Sequence, residues 1–312
     1  MSAPRPIVVV GSINMDLVAV SERIPSVGQT VIGKGFRMIP GGKGANQAVA
    51  VARLGYPVRL IGCLGNDVFG ARLRSHLEDS GVDTAGVAAS DGSSGVALIV
   101  VSEAGENSIV VAPGANFSVT PGTLEKNLGI IRRAGMVLAQ LEIPLETVET
   151  LASICAREDV PLILDPAPAL DLPDSIFPQI AWFTPNETEA EFYNGTGSPG
   201  PAEKAAAFLA KGCHGVVLKM GSQGAWLASR QIPGELVPAF PVKAIDTTAA
   251  GDAFNGGFAA ALMLGKSPRQ SAAFAAAVAG LSVTRAGAQP SMPTMAEVDA
   301  FMSLQPPGKT YP

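Results

Sequence analysis

The chain has 312 residues, 47% hydrophobic and 16% charged, so it can bury a large core and is too apolar to be disordered. A formal net charge of −5 argues against a general nucleic-acid binder, which needs a basic face to engage phosphates. The length is about twice the ~150-residue prior for one domain, and fits two domains or one large α/β domain carrying an appendage.

The first half alternates strand and helix. A short apolar strand over 7–10 ends at Gly11. A helix over 44–54 carries Ala45, Ala48, Val49 and Ala52 on one face and is closed by Gly55. A strand over 58–63 precedes an amphipathic helix over 69–80, closed by Gly81. A strand over 136–139, a helix over 145–158 and a strand over 162–164 continue the rhythm. Strands at 182–183 and 216–218 follow, then long helices over 252–264 and 267–283. Apolar strands alternating with helices predict a mostly parallel sheet covered on both faces. Two stretches break the rhythm, 17–37 and 95–112, each a strand–turn–strand without a helix between. They predict a small antiparallel sheet projecting from the main body. In 96–101 both alternating sets are apolar, so one face can cover a site and the other needs a partner.

Other features are sparse. The N-terminus lacks the charged region and apolar run of a secretory signal, and no stretch approaches the ~18 apolar residues of a membrane span, so a cytoplasmic protein is expected. Cys63, Cys155 and Cys213 have no Cys-x-x-Cys spacing and are read as buried reduced thiols. His76 and His214 have no partner at metal-ligand spacing and are read as surface residues. There is no Walker A loop, because Gly41-Gly42-Lys43-Gly44 is followed by Ala45, and no G-x-G-x-x-G after the first strand. P-loop and dehydrogenase readings lose their main support.

Two glycine-rich stretches entering helices carry chemistry. In Asp246-Thr247-Thr248-Ala249-Ala250-Gly251-Asp252, small residues lead into an apolar helix. A helix N-terminus offers unpaired N–H groups and partial positive charge, and small residues let an anion approach them. Asp252 is then either a first-turn acid or a functional carboxylate at an anion site. In Pro40-Gly41-Gly42-Lys43-Gly44-Ala45-Asn46, Lys43 and Asn46 supply donors suited to a polyol, or else the stretch is a tight turn with a solvated lysine. Asn14 and Asp16 follow the first strand, where ligands of parallel sheets collect.

The strings 41–48 and 246–252 resemble the two signature regions of the PfkB carbohydrate kinases. Supporting strings are Gly11-Ser12-Ile13-Asn14-Met15-Asp16, Gln140-Leu141-Glu142, Asp165-Pro166-Ala167-Pro168, Thr184-Pro185-Asn186-Glu187-Thr188-Glu189 and Gly287-Ala288-Gln289-Pro290-Ser291. The resemblance covers nearly the whole chain. It implies one α/β domain over 1–312, a three-layer sandwich with a mostly parallel central sheet. It also implies a small β-sheet lid, formed by about 14–40 and 94–113, that makes a homodimer contact.

The resemblance further implies an ATP-dependent, Mg²⁺-requiring sugar kinase activated by K⁺, with D-ribose as acceptor at its 5-hydroxyl and neither nucleic acid nor membrane as partner. Asp252 would be the general base, and Ala249, Ala250, Gly251 and Asp252 the anion hole. Asn14, Met15, Asp16, Gly42, Lys43, Gly44, Ala45, Asn46 and Glu142 would bind sugar. Asn186 and Glu189 would organise Mg²⁺ and phosphates, and Lys219, Met220, Gly221, Ser222, Gln223 and Gly224 would form the nucleotide loop. Asp246, Thr248, Ser282, Arg285, Gly287 and Ser291 would hold the monovalent cation. Two positions depart from the family pattern. Lys219 stands where a threonine is common, and Ala276 where some relatives place a histidine or asparagine near adenine. Alternative readings are a kinase for 2-deoxyribose or another small sugar or nucleoside, and a non-catalytic sugar sensor on the same fold.

Overall fold

The computed structural model describes residues 4–195, 197 and 200–304. Strand β1 (Ile7–Val10) shows why the molecule is layered. All four residues are fully buried, Ile7 and Val9 in one hydrophobic cluster, Val8 and Val10 in another. Side chains alternate across a strand, so a run apolar at every position demands cover on both faces.

From β1 the chain runs through β2 (Asn14–Ser21), β3 (Gly35–Gly41), α1 (Lys43–Arg53), β4 (Val58–Gly65), α2 (Val68–Asp79) and β5 (Asp83–Ser90). A hairpin of β6 (Gly95–Ser102) and β7 (Asn107–Ala112) follows, then α3 (Pro121–Lys126), α4 (Leu128–Ile131) and β8 (Met136–Ala139). Next come α5 (Leu145–Arg157), β9 (Leu162–Leu164), β10 (Trp182–Phe183), α6 (Glu187–Asn194), α7 (Pro201–Ala210) and β11 (Gly215–Lys219). The chain ends with β12 (Ala225–Ser229), β13 (Glu235–Val237), α8 (Ala250–Met263), α9 (Pro268–Ser282) and α10 (Met295–Ser303).

The main sheet has nine strands in the order β13-β12-β11-β10-β9-β8-β1-β4-β5. The run from β11 to β5 is parallel, and β12 and β13 add an antiparallel edge. Side chains of α1, α8 and α9 fill the cluster on one face; those of α5, α6 and α7 fill the other. The expected three-layer α/β sandwich is therefore observed. Strand β5 and the β12–β13 hairpin carried no signal in the sequence. Edge strand β5 is buried only at alternate or scattered positions, so it lacks a continuous apolar run.

The second sheet has the order β3-β2-β6-β7. It is mixed, not purely antiparallel as its sequence suggested, because β2 and β6 pair in parallel from Asn14↔Gly95 to Ser21↔Ser102. These strands continue from β1 and β5, which run parallel in the main sheet, so both leave it in the same direction. Every residue of β7 is exposed, and Phe36, Leu98, Ile109 and Val110 leave apolar surface uncovered. All three cysteines are free and buried. His214 is exposed, but His76 is only half-exposed and its Nε2 is buried without a partner among the described residues, which corrects the surface reading.

Candidate active site

The site forms where the N-termini of α1, α6 and α8 meet the carboxyl ends of the parallel strands. At α1 the helix starts on Gly42, with φ 88°, and a Cβ there would lie 2.7 Å from the Asn14 nitrogen. Glycine is required on both counts. No side chain of the loop caps α1. Glu142 instead reaches across from beyond β8, its Oε2 accepting from the Lys43 N–H at 3.2 Å and the Ser12 hydroxyl at 2.5 Å. A carboxylate there complements the helix dipole.

At α8, Ala249 adopts the left-handed conformation (φ 59°, ψ 16°) and no side chain caps the helix. Ala249, Ala250, Gly251 and Asp252 line a cavity of about 410 Å³ together with Lys43, Asp165, Asn186, Glu189 and Lys219. Asp252 is buried, and each of its oxygens accepts one amide N–H: Oδ2 from Asn46 Nδ2 at 2.9 Å, Oδ1 from Gln47 Nε2 at 3.1 Å. Burial pushes its carboxyl up to about 6, with Asp165 adding to the rise and Lys43, Asn46 and Gln47 opposing it. Burial pushes Asp16 up further, to about 7, helped by Glu142 and Asp252 and opposed by Lys43. Burial pulls the Lys43 ammonium down, but Asp252, Glu142, Asp165 and Glu189 outweigh it, so the lysine is held firmly charged.

Lys219 ends β11 with its Nζ 2.7 Å from Asp165 Oδ1. Asn186 caps α6, its side chain accepting from the Glu189 N–H while Glu189 accepts from the Asn186 N–H and side-chain amide. Burial raises the Glu189 carboxyl, against the pull of Lys219. Beyond Lys219 a mostly apolar cleft of about 520 Å³ opens between Gly221, Ser222, Gly224, Phe240, Ala276 and Ala279. Lys219, Gly221, Thr247, Ala250 and Gly251 border both spaces, so they form one continuous groove.

Of the residues singled out in the sequence, Lys43, Asn186, Glu189, Lys219, Gly221 and 249–252 line these spaces; Asn14, Asp16, Asn46 and Glu142 do not, and the last three meet them through Lys43 and Asp252. Asn14 is buried, its Oδ1 accepting from Asn116 Nδ2 at 2.6 Å. Met15, Gly44, Ala45 and Met220 are buried too, and the side chains of Met15 and Met220 pack in the two core clusters. Gln223 is exposed. In the 246–291 region, Asp246 accepts N–H bonds from Thr248 at 2.9 Å and Gly287 at 2.8 Å. These bonds outweigh burial and hold its carboxyl below the usual range. Ser282 and Ser291 are buried, and the Arg285 guanidinium turns to Glu297 Oε1 at 2.7 Å. Sequence reasoning passed over Gln47, Asn116, Gln140, Asp165 and Gln289. Four of these lie inside the recognised strings, but their partners are distant in the chain, as Gln47 with Asp252 and Asp165 with Lys219, so local spacing carries no signal for them. Asn116 lay in no motif at all.

A layered α/β body with a projecting sheet and a polar basin opening into an apolar groove suits an enzyme that holds small polar and part-apolar ligands side by side. The sequence profile of the pfkB family carbohydrate kinases matches residues 5–295, and the chain belongs to that family. It is 43% identical over 303 residues to a ribokinase of Bacillus subtilis, covering 96% of this chain and 100% of that one. It is 35% identical over 306 residues to a deoxyribokinase of Salmonella typhimurium, covering 96% and 99%. The structure of Arabidopsis thaliana ribokinase complexed with ribose and ATP superposes with TM-score 0.90 at 35% identity, covering 97% of this chain and 100% of that one. Among the described residues no helix is long and apolar enough to cross a membrane.

Proposed function

We propose that this enzyme transfers the γ-phosphoryl group of ATP to the 5-hydroxyl of D-ribose, giving D-ribose 5-phosphate and ADP. The observation that carries the reading is Asp252, buried at the uncapped start of α8 where the polar basin meets the apolar groove. The Bacillus and Arabidopsis relatives support it, the latter holding ribose and ATP.

Asn14, Asp16, Lys43, Asn46 and Glu142 hydrogen-bond the sugar hydroxyls. With its carboxyl at about 7, Asp16 can donate as well as accept near neutrality. Asp252, at about 6, is mostly ionised there and takes the 5-hydroxyl proton as the oxygen attacks the γ-phosphorus. The bond from phosphorus to the ADP oxygen breaks, and ADP leaves. Backbone N–H groups at Ala249–Asp252 stabilise charge on the transferring group, which needs fixed donors around its equatorial oxygens. Lys43 and Lys219 add positive charge beside them, and the apolar groove takes the adenine.

Magnesium supplies charge neutralisation to the phosphates. The donor chemistry fits, because the Glu189 carboxylate and Asn186 face the phosphate basin, though both are engaged in the α6 cap and would hold the ion through water. Potassium would be held at Asp246, Thr248, Ser282, Arg285, Gly287 and Ser291, where Asp246 ties Thr248 to Gly287 and the Arg285 charge is turned away to Glu297. Its effect would reach the anion hole through the short 246–249 connection. The exposed lid face supports a homodimer made through the same sheet of a second copy.

A coupled ADP-release assay with ribose, 2-deoxyribose, fructose and adenosine, with and without K⁺, tests the reading. Ribose should give the highest kcat/KM, and K⁺ should raise turnover. A preference for 2-deoxyribose or adenosine would overturn the assignment of substrate.

A further inference from the structure

Donors facing both oxygens of Asp252 favour its ionised form, and those donors belong to carboxamides. A carboxamide is nearly symmetric in shape, and a half-turn swaps its donor for its acceptor. If Gln47 or Asn46 turned over, an oxygen would face the carboxylate where an N–H now does.

Two further amides prevent this. Gln140 Nε2 donates to Gln47 Oε1 at 2.7 Å, which aims the Gln47 nitrogen at Asp252 and Asp165. Gln289 Nε2 donates to Asn46 Oδ1 at 3.0 Å, which aims the Asn46 nitrogen at Asp252. All four amides are buried, so water cannot substitute. In both outer amides the side-chain oxygen has no partner among the described residues. A buried acceptor left unpaired is unfavourable, and each outer amide accepts that cost while its nitrogen donates, Gln140 to Gln47 alone and Gln289 to Asn46 and, at 3.4 Å, to the Gly41 carbonyl, which fixes the Gln289 polarity in turn. Gly11 leaves the room that Gln140 needs, since a Cβ there would strike its Oε1.

We propose that Gln140 and Gln289 are positioning residues that lock the amide polarity of Gln47 and Asn46, so that N–H groups face both oxygens of Asp252. This rests on the reading of Asp252 as base. The other groups facing Asp252 are Lys43 from α1, Asp165 after β9 and Asp16 from β2, with Lys219 of β11 behind Asp165.

The test is the pH dependence of kcat, from pH 5 to 9, for Gln140→Met and Gln289→Met. Both keep side-chain length and leave every charge in place. Losing one donor to the ionised form should move the acid limb up by about one pH unit, a roughly tenfold loss of kcat below the limb with recovery by about pH 9. KM for ATP should stay within about twofold in both variants, and KM for sugar within about twofold in Gln140→Met; Gln289→Met also frees Asn46, which contacts the sugar, so its sugar KM is not part of the test. If one methionine variant fails to fold, the other carries the test, since the two act on different oxygens of Asp252. A loss of kcat that is uniform in pH, or an unmoved limb while Asp252→Asn is inactive, overturns the inference alone. Full turnover by Asp252→Asn overturns the base and the inference together.

Discussion

Replacing Asp252 by asparagine removes one buried charge and changes little in volume. In the folded enzyme its carboxyl is raised from the ordinary 3.8 to about 6, chiefly by burial. That interval corresponds to about 3 kcal/mol, at roughly 1.4 kcal/mol per tenfold in protonation. The folded state binds the proton more tightly than the unfolded chain. Stability from this group is therefore highest below about pH 4, falls as pH rises toward 6, and stays low above it. Asparagine carries no such dependence. Its own NH₂ must face the Asn46 or Gln47 nitrogen, which costs about 1–3 kcal/mol at every pH. The discriminating quantity is thus the change with pH. Urea unfolding of both proteins at pH 4.5 and 7.5 should show the variant gaining about 2 kcal/mol on the wild type between the two conditions. Relief of Asp16, which Asp252 repels, acts in the same direction. At the same time kcat should fall by about 10²–10⁴-fold, with sugar binding retained. A stability difference independent of pH, or turnover within tenfold of wild type, would refute the assignment of a buried, ionised base.

Asp16→Ala should weaken ribose by about 1–3 kcal/mol for each hydroxyl left unpaired, and 2-deoxyribose by less; equal weakening in calorimetry would remove Asp16 from reading the 2-hydroxyl. Lys219→Met leaves the Asp165 side chain, 3% exposed, with Gln47 as its remaining partner, so unfolding free energy should drop by roughly 3 kcal/mol. The same variant should raise KM for ATP by about tenfold if one phosphate contact is lost, whereas an unchanged KM would place Lys219 outside the phosphate path. Ile109→Lys puts charge on the exposed lid face, and light scattering should then show a monomer; a persistent dimer would mean that association uses another surface.

The sequence by itself determined the layers and the two ends of the site. Continuous apolar runs such as 7–10 and 136–139 required a sheet covered on both faces, because alternating side chains cannot all be buried on one. Glycine and small-residue loops at 41–44 and 249–251 marked two helix starts to within two residues, read at 44 and 252 and found at Lys43 and Ala250; Gly42 is legible because its positive φ and close approach need glycine, whereas nothing local announces the left-handed Ala249. What local pattern could not supply was register and partnership. The parallel pairing of β2 with β6 depends on where β1 and β5 lie in the main sheet. Lys219 meets Asp165 across 54 positions, and Gln140 meets Gln47 across 93. The burial that raises Asp16 and Asp252 arises only when β2, α1 and α8 close around them. Hydrogen-bond direction, dielectric and charge proximity belong to the assembled groove, and no residue carries them alone.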